Sequence, residues 1–302
     1  MRNSMKYISE VLADLTINSA NDDITESAYV ASRKFLIDAL ATAIAGYDAP
    51  GVKPVVDMIR DWGGSPQATM PVYGDRLPIP NMVLAGGTMV HALDYDDVHV
   101  TGAQHITASV VPVALALGEF HHVSGQDLLA AIAIGVEIGA RVSTEHVRRR
   151  VDYGFLQASI TGGFGATAAA ARLSGLSVEQ TVNAFGIFYS QACGNRQALF
   201  DTALTKRIQP ALSGKAAVIA VDLAGRGFTG AHRAFEGQAG LFRIFGTTGD
   251  PPSPEEMGGL RDSWEVERMS VKRFPSCGAA HPVSMAALEL VDHSSDLIKI
   301  HQ

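Results

Sequence analysis

Cysteine is nearly absent from this chain, which holds Cys193 and Cys277 and no others. Two thiols cannot build a disulfide framework, and they cannot ligate a four-cysteine iron–sulfur cluster. Positive charge is also in deficit: 24 Lys and Arg stand against 31 Asp and Glu, for a net charge of −7. A negative overall field repels polyanions, so a general nucleic-acid binder is excluded, and any anion the protein holds must be caught by a local cationic pocket. No apolar run approaches the roughly 18 residues of a membrane span, and the opening MRNSMKYISEV has no apolar segment of signal-peptide length. The expectation is a soluble, reducing, cytoplasmic protein with no membrane partner. Strand signals are scarce before residue 260.

What is present is helical. With 47% apolar residues, the chain has ample material for a large core. Asp23-Ile24-Thr25-Glu26 resembles a capping box, opening a helix whose Ile37, Leu40, Ala41 and Ile44 keep the 3.6-residue period up to Gly46. Short helices are expected over 54–62 and 81–93, separated by a Gly/Pro-rich loop over 63–80, and another over 109–118. The segment 127–142 is apolar nearly all round, which suits the centre of a fold. A Gly/Ala-rich helix is expected over 158–173 and a capped one from Ser177 to about Tyr189. Gly162-Gly163-Phe164-Gly165 has no preceding strand, so it is not read as a dinucleotide loop. The Pro, Gly and acid of 248–259 mark a boundary, giving an all-helical domain over 1–260. Beyond it, strand 269–275, a helix from His281 to about Val291 and a second strand over 297–301 read as the start of a smaller α+β domain, incomplete at 302. The fold class expected is mainly α.

Titratable groups gather in HALDYDDVHVTGAQHIT, residues 91–107, which carries His91, His99, His105, Asp94, Asp96 and Asp97 between two apolar helices. The aspartates fall at a helix C-terminus, where the macrodipole disfavours anions, so something else must hold them there. Aspartates capping a turn, a metal site and a metal-free acid/base site are the readings this pattern allows. No HExxH or other familiar ligand frame accompanies it, and no metal or cofactor is expected.

Four segments together resemble the MmgE/PrpD family, which includes 2-methylcitrate dehydratase, cis-aconitate decarboxylase and iminodisuccinate epimerase. They are HALDYDDVH with its following His105, the Gly/Ala helix ending ARLSGLS, LTKRIQPALSGKAAVIAVDLAGRGFTG, and VKRFPSCGAAHP, in the family's order. The resemblance implies a large helical domain with a smaller α+β domain, a homodimer, and chemistry without an iron–sulfur cluster. It implies a functional aspartate at Asp94, a loop histidine at His105, and lysines at Lys206 and Lys272. Three positions depart from the pattern: Val98 replaces a threonine, Leu156-Gln157 replaces a histidine-bearing segment, and Gln209 replaces a histidine. Family members are also longer, which is why the small domain reads as truncated.

The chemistry implied passes through, or near, a carbanion beside a carboxylate, whose growing charge fixed cations must hold. Lys206 and Lys272 are the expected clamps, His105 the proton-transfer group, and Asp94 its orienting partner, with Arg207, Arg273 and His99 as substrate-binding candidates. The expected activity is a cofactor-free lyase of the 2-methylcitrate dehydratase kind acting on a small polycarboxylate. Decarboxylase and epimerase are alternatives within the resemblance, and an inactive helical dimerisation scaffold is the alternative outside it.

Overall fold

A computed structural model describes residues 7–149, 154–245, 249–259 and 263–293. In chain order the elements are α1 (Ile8–Asn18), α2 (Glu26–Gly46), α3 (Val52–Trp62), β1 (Ala68–Thr69), β2 (Arg76–Leu77), α4 (Ile79–His91), β3 (Val98–His99), α5 (Thr107–Phe120) and α6 (Gly125–Arg149). Then come α7 (Gln157–Ile160), α8 (Gly162–Leu173), α9 (Val178–Tyr189), α10 (Gln197–Phe200), α11 (Thr205–Gly225), α12 (Leu241–Ile244), α13 (Pro254–Met257), β4 (Met269–Ser270) and α14 (His281–His293). The fold is mainly α, with two small two-stranded antiparallel sheets, β1–β2 and β3–β4.

Local chemistry accounts for the helix ends. Ser177 accepts from the Gln180 N–H at 3.2 Å and its own N–H donates to the Gln180 side chain at 2.9 Å, the reciprocal box expected at the start of α9. At α2 the cap is Thr25, whose hydroxyl accepts from the Ala28 N–H at 3.2 Å. Asp23 is spent one turn earlier: Asn21–Asp23 forms a 3₁₀ turn in which its carboxylate binds the Ala20 N–H at 2.7 Å. The cap therefore falls two residues later than expected.

Helix α6 is buried on every side from Ala130 to Ser143, as its apolar circumference requires. It packs on α8, where glycines allow the backbones to touch: a Cβ on Gly135 would lie 2.9 Å from the Gly165 carbonyl oxygen. Gly162-Gly163-Phe164-Gly165 is the first turn of α8. Helix α4 is as deeply enclosed, between α2, α5 and α11. This packing delivers the C-terminal end of α4 and the N-terminal end of α11 to one place.

The strand expected over 269–275 is two residues long. Its partner β3 offers no more: after His99 the chain turns, and Gln104 returns to pair with His99 itself. Past Ser270 the backbone leaves the ladder and Lys272 turns inward to only 3% exposure. Trp264, Val266 and Met269 are buried in the same core as α6. Helix α14 follows the expected range, whereas the strand expected over 297–301 and the boundary residues 260–262 lie outside the described residues.

Candidate active site

Asp94 closes the turn that follows α4 and has a left-handed backbone, φ 52°, a conformation aspartate tolerates better than most residues. Lys272 holds it there: one ammonium donates to both the Asp94 carbonyl oxygen and Oδ1, each at 2.7 Å. Lys206, in the first turn of α11, brings a second ammonium to 3.0 Å from the same Oδ1. These two cations supply the compensation that a carboxylate at a helix C-terminus requires. Burial acts to raise the Asp94 carboxyl, but Lys206, His105 and Lys272 together hold it well below the usual carboxylate range. An ammonium has three N–H donors, so Lys272 keeps one uncommitted, and Lys206 has no directed hydrogen bond among the described residues.

His105 faces this pair. Its Nδ1–H donates to the Asp97 carbonyl at 2.6 Å, which leaves Nε2 as the bare nitrogen, 3.6 Å from Asp94 Oδ1. The ring is 18% exposed. Burial lowers its pKa, and His91 and Lys272 add to this against the opposing pull of Asp96 and Asp94, for a net fall below the usual 6.5. Burial thus favours the neutral imidazole, with Nε2 open to accept a proton.

The other two aspartates of the loop do different work. Asp97 accepts the backbone N–H groups of Ile106 (3.1 Å) and Thr107 (3.0 Å) and the Thr107 hydroxyl, so it anchors the start of α5. Burial and the neighbouring Asp96 push its carboxyl up to about 6. Asp96 is completely enclosed and accepts from His91 Nδ1 at 2.8 Å. Burial acts to raise Asp96, yet His91 and His105 hold it below the ordinary value.

His99 is turned elsewhere. It is fully buried, its Nε2–H donates to Glu265 at 3.0 Å, and its Nδ1 accepts the Gly102 N–H at 3.0 Å, so neither ring nitrogen is available to a substrate. Arg207 donates to the Pro50 carbonyl at 2.6 Å, and Arg273 is exposed with its guanidinium over Phe274. Among the described residues, neither guanidinium pairs with Asp94, whose ammonium partners are Lys206 and Lys272. Gln209 is buried and exchanges two hydrogen bonds with the Asn195 backbone, while Gln157 is bonded to His146.

Asp38 of α2 was not picked out by its sequence surroundings. Burial and the nearby Asp96 push it up to about 6, with Lys34 and Lys272 opposing, and its Oδ2 has no hydrogen-bond partner among the described residues. It lies on the face that carries Phe35 and Thr42, both buried; an acid on a core-facing stripe is the signal that could have found it.

Asp94, Asp96 and His105 offer ligand atoms within 4.8 Å of one another, a spacing that could suit a metal ion. The chemistry of the surroundings does not fit one. A dication there would stand within a few ångströms of two ammonium groups already paired with Asp94, whose like charge would repel it. The arrangement suits an anionic ligand, for which the lysines offer donors and His105 a base.

No helix among the described residues is long and apolar enough to cross a membrane. Over 93% of its length the chain is 25% identical to a cis-aconitate decarboxylase-like protein of Aspergillus oryzae, covering 61% of that protein. It is 23% identical to the cis-aconitate decarboxylase of Aspergillus terreus and 27% identical to that of Homo sapiens, covering 59% and 60% of them. The chain thus spans less than two thirds of the length of these curated relatives. Residues 10–253 match the MmgE/PrpD N-terminal domain, and with that match spanning most of its length the chain belongs to the MmgE/PrpD family.

Proposed function

We propose that this chain carries the proton-transfer site of a lyase acting on a small polycarboxylate, with no metal in the reaction. The observation that carries the reading is the meeting of two ammonium groups, from α11 and from the residues after β4, at one carboxylate oxygen beside a bare histidine nitrogen. A substrate carboxylate placed against the uncommitted N–H donors of Lys206 and Lys272 would present its neighbouring C–H to His105 Nε2. The neutral ring takes that proton, and the electron pair left on carbon spreads into the carboxylate. The charge arriving on its oxygens is met by the two ammoniums, each such donor being worth roughly 2.7–4 kcal/mol of transition-state stabilisation. In a dehydration the C–O bond on the adjacent carbon then breaks, and the departing hydroxide takes a proton from an ammonium and leaves as water. Asp94, ionised throughout, keeps both lysines and the histidine in register.

A bare Nε2, with Nδ1–H committed to the Asp97 carbonyl, suits proton removal and so dehydration of the 2-methylcitrate kind. The names of the relatives favour a second reading, decarboxylation of cis-aconitate, in which carbon dioxide leaves, the same lysines hold the electron pair, and a protonated His105 returns a proton to carbon. The two need His105 in opposite states. Incubation with 2-methylcitrate, citrate and cis-aconitate, with products followed by mass spectrometry across pH, tests both. Dehydration should slow as pH falls through the His105 midpoint, and decarboxylation should slow as pH rises through it. EDTA should leave either rate unchanged. A folded protein that converts none of the three acids would contradict the proposal and favour a non-catalytic helical scaffold.

A further inference from the structure

Behind His105 lies a buried pair that the scheme above does not use. His91, the last residue of α4, and Asp96 are both enclosed, with His91 Nδ1–H donating to Asp96 Oδ2 at 2.8 Å. The second carboxylate oxygen, Oδ1, has no hydrogen-bond partner among the described residues and lies 4.0 Å from His105 Nδ1. The His91 ring stacks at a tilt against that of His105, centroids 5.2 Å apart. A buried carboxylate oxygen left without a donor is costly, and such cases call for a reason. Here the oxygen is aimed at the one ring whose charge changes during proton transfer.

We propose that Asp96, held by His91, is a positioning residue: its uncommitted oxygen supports the cationic form of His105 and so sets the acidity at which that ring takes and gives a proton. The inference rests on His105 being the proton-transfer group. The other charges facing this ring come from Asp94 and Asp97 in the same loop, Lys206 on α11 and Lys272 after β4, with Asp38 of α2 beside Asp96. The lysines oppose a cationic histidine. Asp94 is already committed to both of them, and Asp97 meets the ring through its backbone carbonyl while its carboxylate is spent on α5. His91 also opposes the cation and Asp94 adds a smaller attraction from 3.6 Å, so Asp96, with its uncommitted oxygen, is the largest influence set against the burial of His105.

The test reads His105 directly. The full chain carrying ¹³C-labelled histidine is titrated by NMR, with the His105 signal identified by its loss in His105→Gln. In Asp96→Asn the His105 midpoint should fall by about one pH unit or more, and Asp96→Glu should restore part of it. An unchanged midpoint in a folded Asp96→Asn protein overturns the proposal. Should that variant fail to fold, the unmodified protein carries the test: the Asp96 carboxyl carbon should shift at the His105 midpoint, and a flat response there overturns it. No turnover is needed. An inactive protein with coupled Asp96 and His105 counts against the lyase reading alone, and an active protein with uncoupled groups counts against this inference alone.

Discussion

Replacing Lys272 by methionine removes the ammonium and keeps most of the side-chain volume. Lys272 is 3% exposed, and its Nζ holds both the carbonyl and Oδ1 of Asp94 at 2.7 Å. Its loss leaves two oxygens of the half-buried Asp94 short of a donor, on a residue with a left-handed backbone. Breaking a fully buried pair costs about 3–5 kcal/mol; because Asp94 is part-exposed and Lys206 stays on the same oxygen, a smaller loss of about 2 kcal/mol is expected. The pH dependence has a definite sign. The Asp94 carboxyl is depressed in the folded state, so it contributes stability that is fully present above its unfolded value of 3.8 and is lost as pH falls through the folded value. The deficit of Lys272→Met should therefore be full at neutral pH and shrink in acid, once Asp94 protonates in the variant. Urea unfolding of both proteins across pH measures this. A variant as stable as the parent at neutral pH, or a deficit that does not change with pH, would refute the reasoning. Lys206→Met added to Lys272→Met should cost less than the separate losses combined or more, but not their simple sum, since both act on one oxygen.

Other outcomes follow from the same geometry. If His105 is the proposed proton-transfer group, His105→Gln should lower turnover by about 10²–10⁴-fold while leaving the urea midpoint close to that of the parent. Asp97 is raised to about 6, so the parent loses stability as pH climbs from its unfolded value of 3.8 through that point. Asp97→Asn, which cannot ionise, should gain on the parent across that window in paired unfolding curves. Asp97→Ala should lose the anchor of α5 at a cost of about 1–2 kcal/mol, by analogy with other helix caps.

Local rules made much of the helical frame legible. The Ser177 to Gln180 box sits where its spacing puts it, and the all-round apolar face of α6 is central because no side of it can meet water. The short strand at Met269–Ser270 was not legible, since its length is set by a partner loop that folds back on itself at Gln104. At the site, residue type and spacing drew attention to the loop but could not sort its three histidines. Pairing of β3 with β4 commits His99 to the buried side, where Glu265 meets it, whereas the end of α4 turns His91 toward His105. The approach of Lys206 and Lys272 to Asp94 is tertiary, and only the family resemblance pointed to those lysines. Asp38 carries no motif at all; helix geometry alone brings it beneath the loop.

The central claim is that Lys206 and Lys272 grip a polycarboxylate at Asp94 and His105. Titration calorimetry with propane-1,2,3-tricarboxylate, which has neither the hydroxyl nor the double bond needed to react, tests that grip without turnover. The account predicts saturable binding that weakens with salt and falls about tenfold or more in Lys272→Met, the loss of one charge-assisted hydrogen bond. Binding that is absent from the folded parent, or indifferent to the lysine, would contradict it.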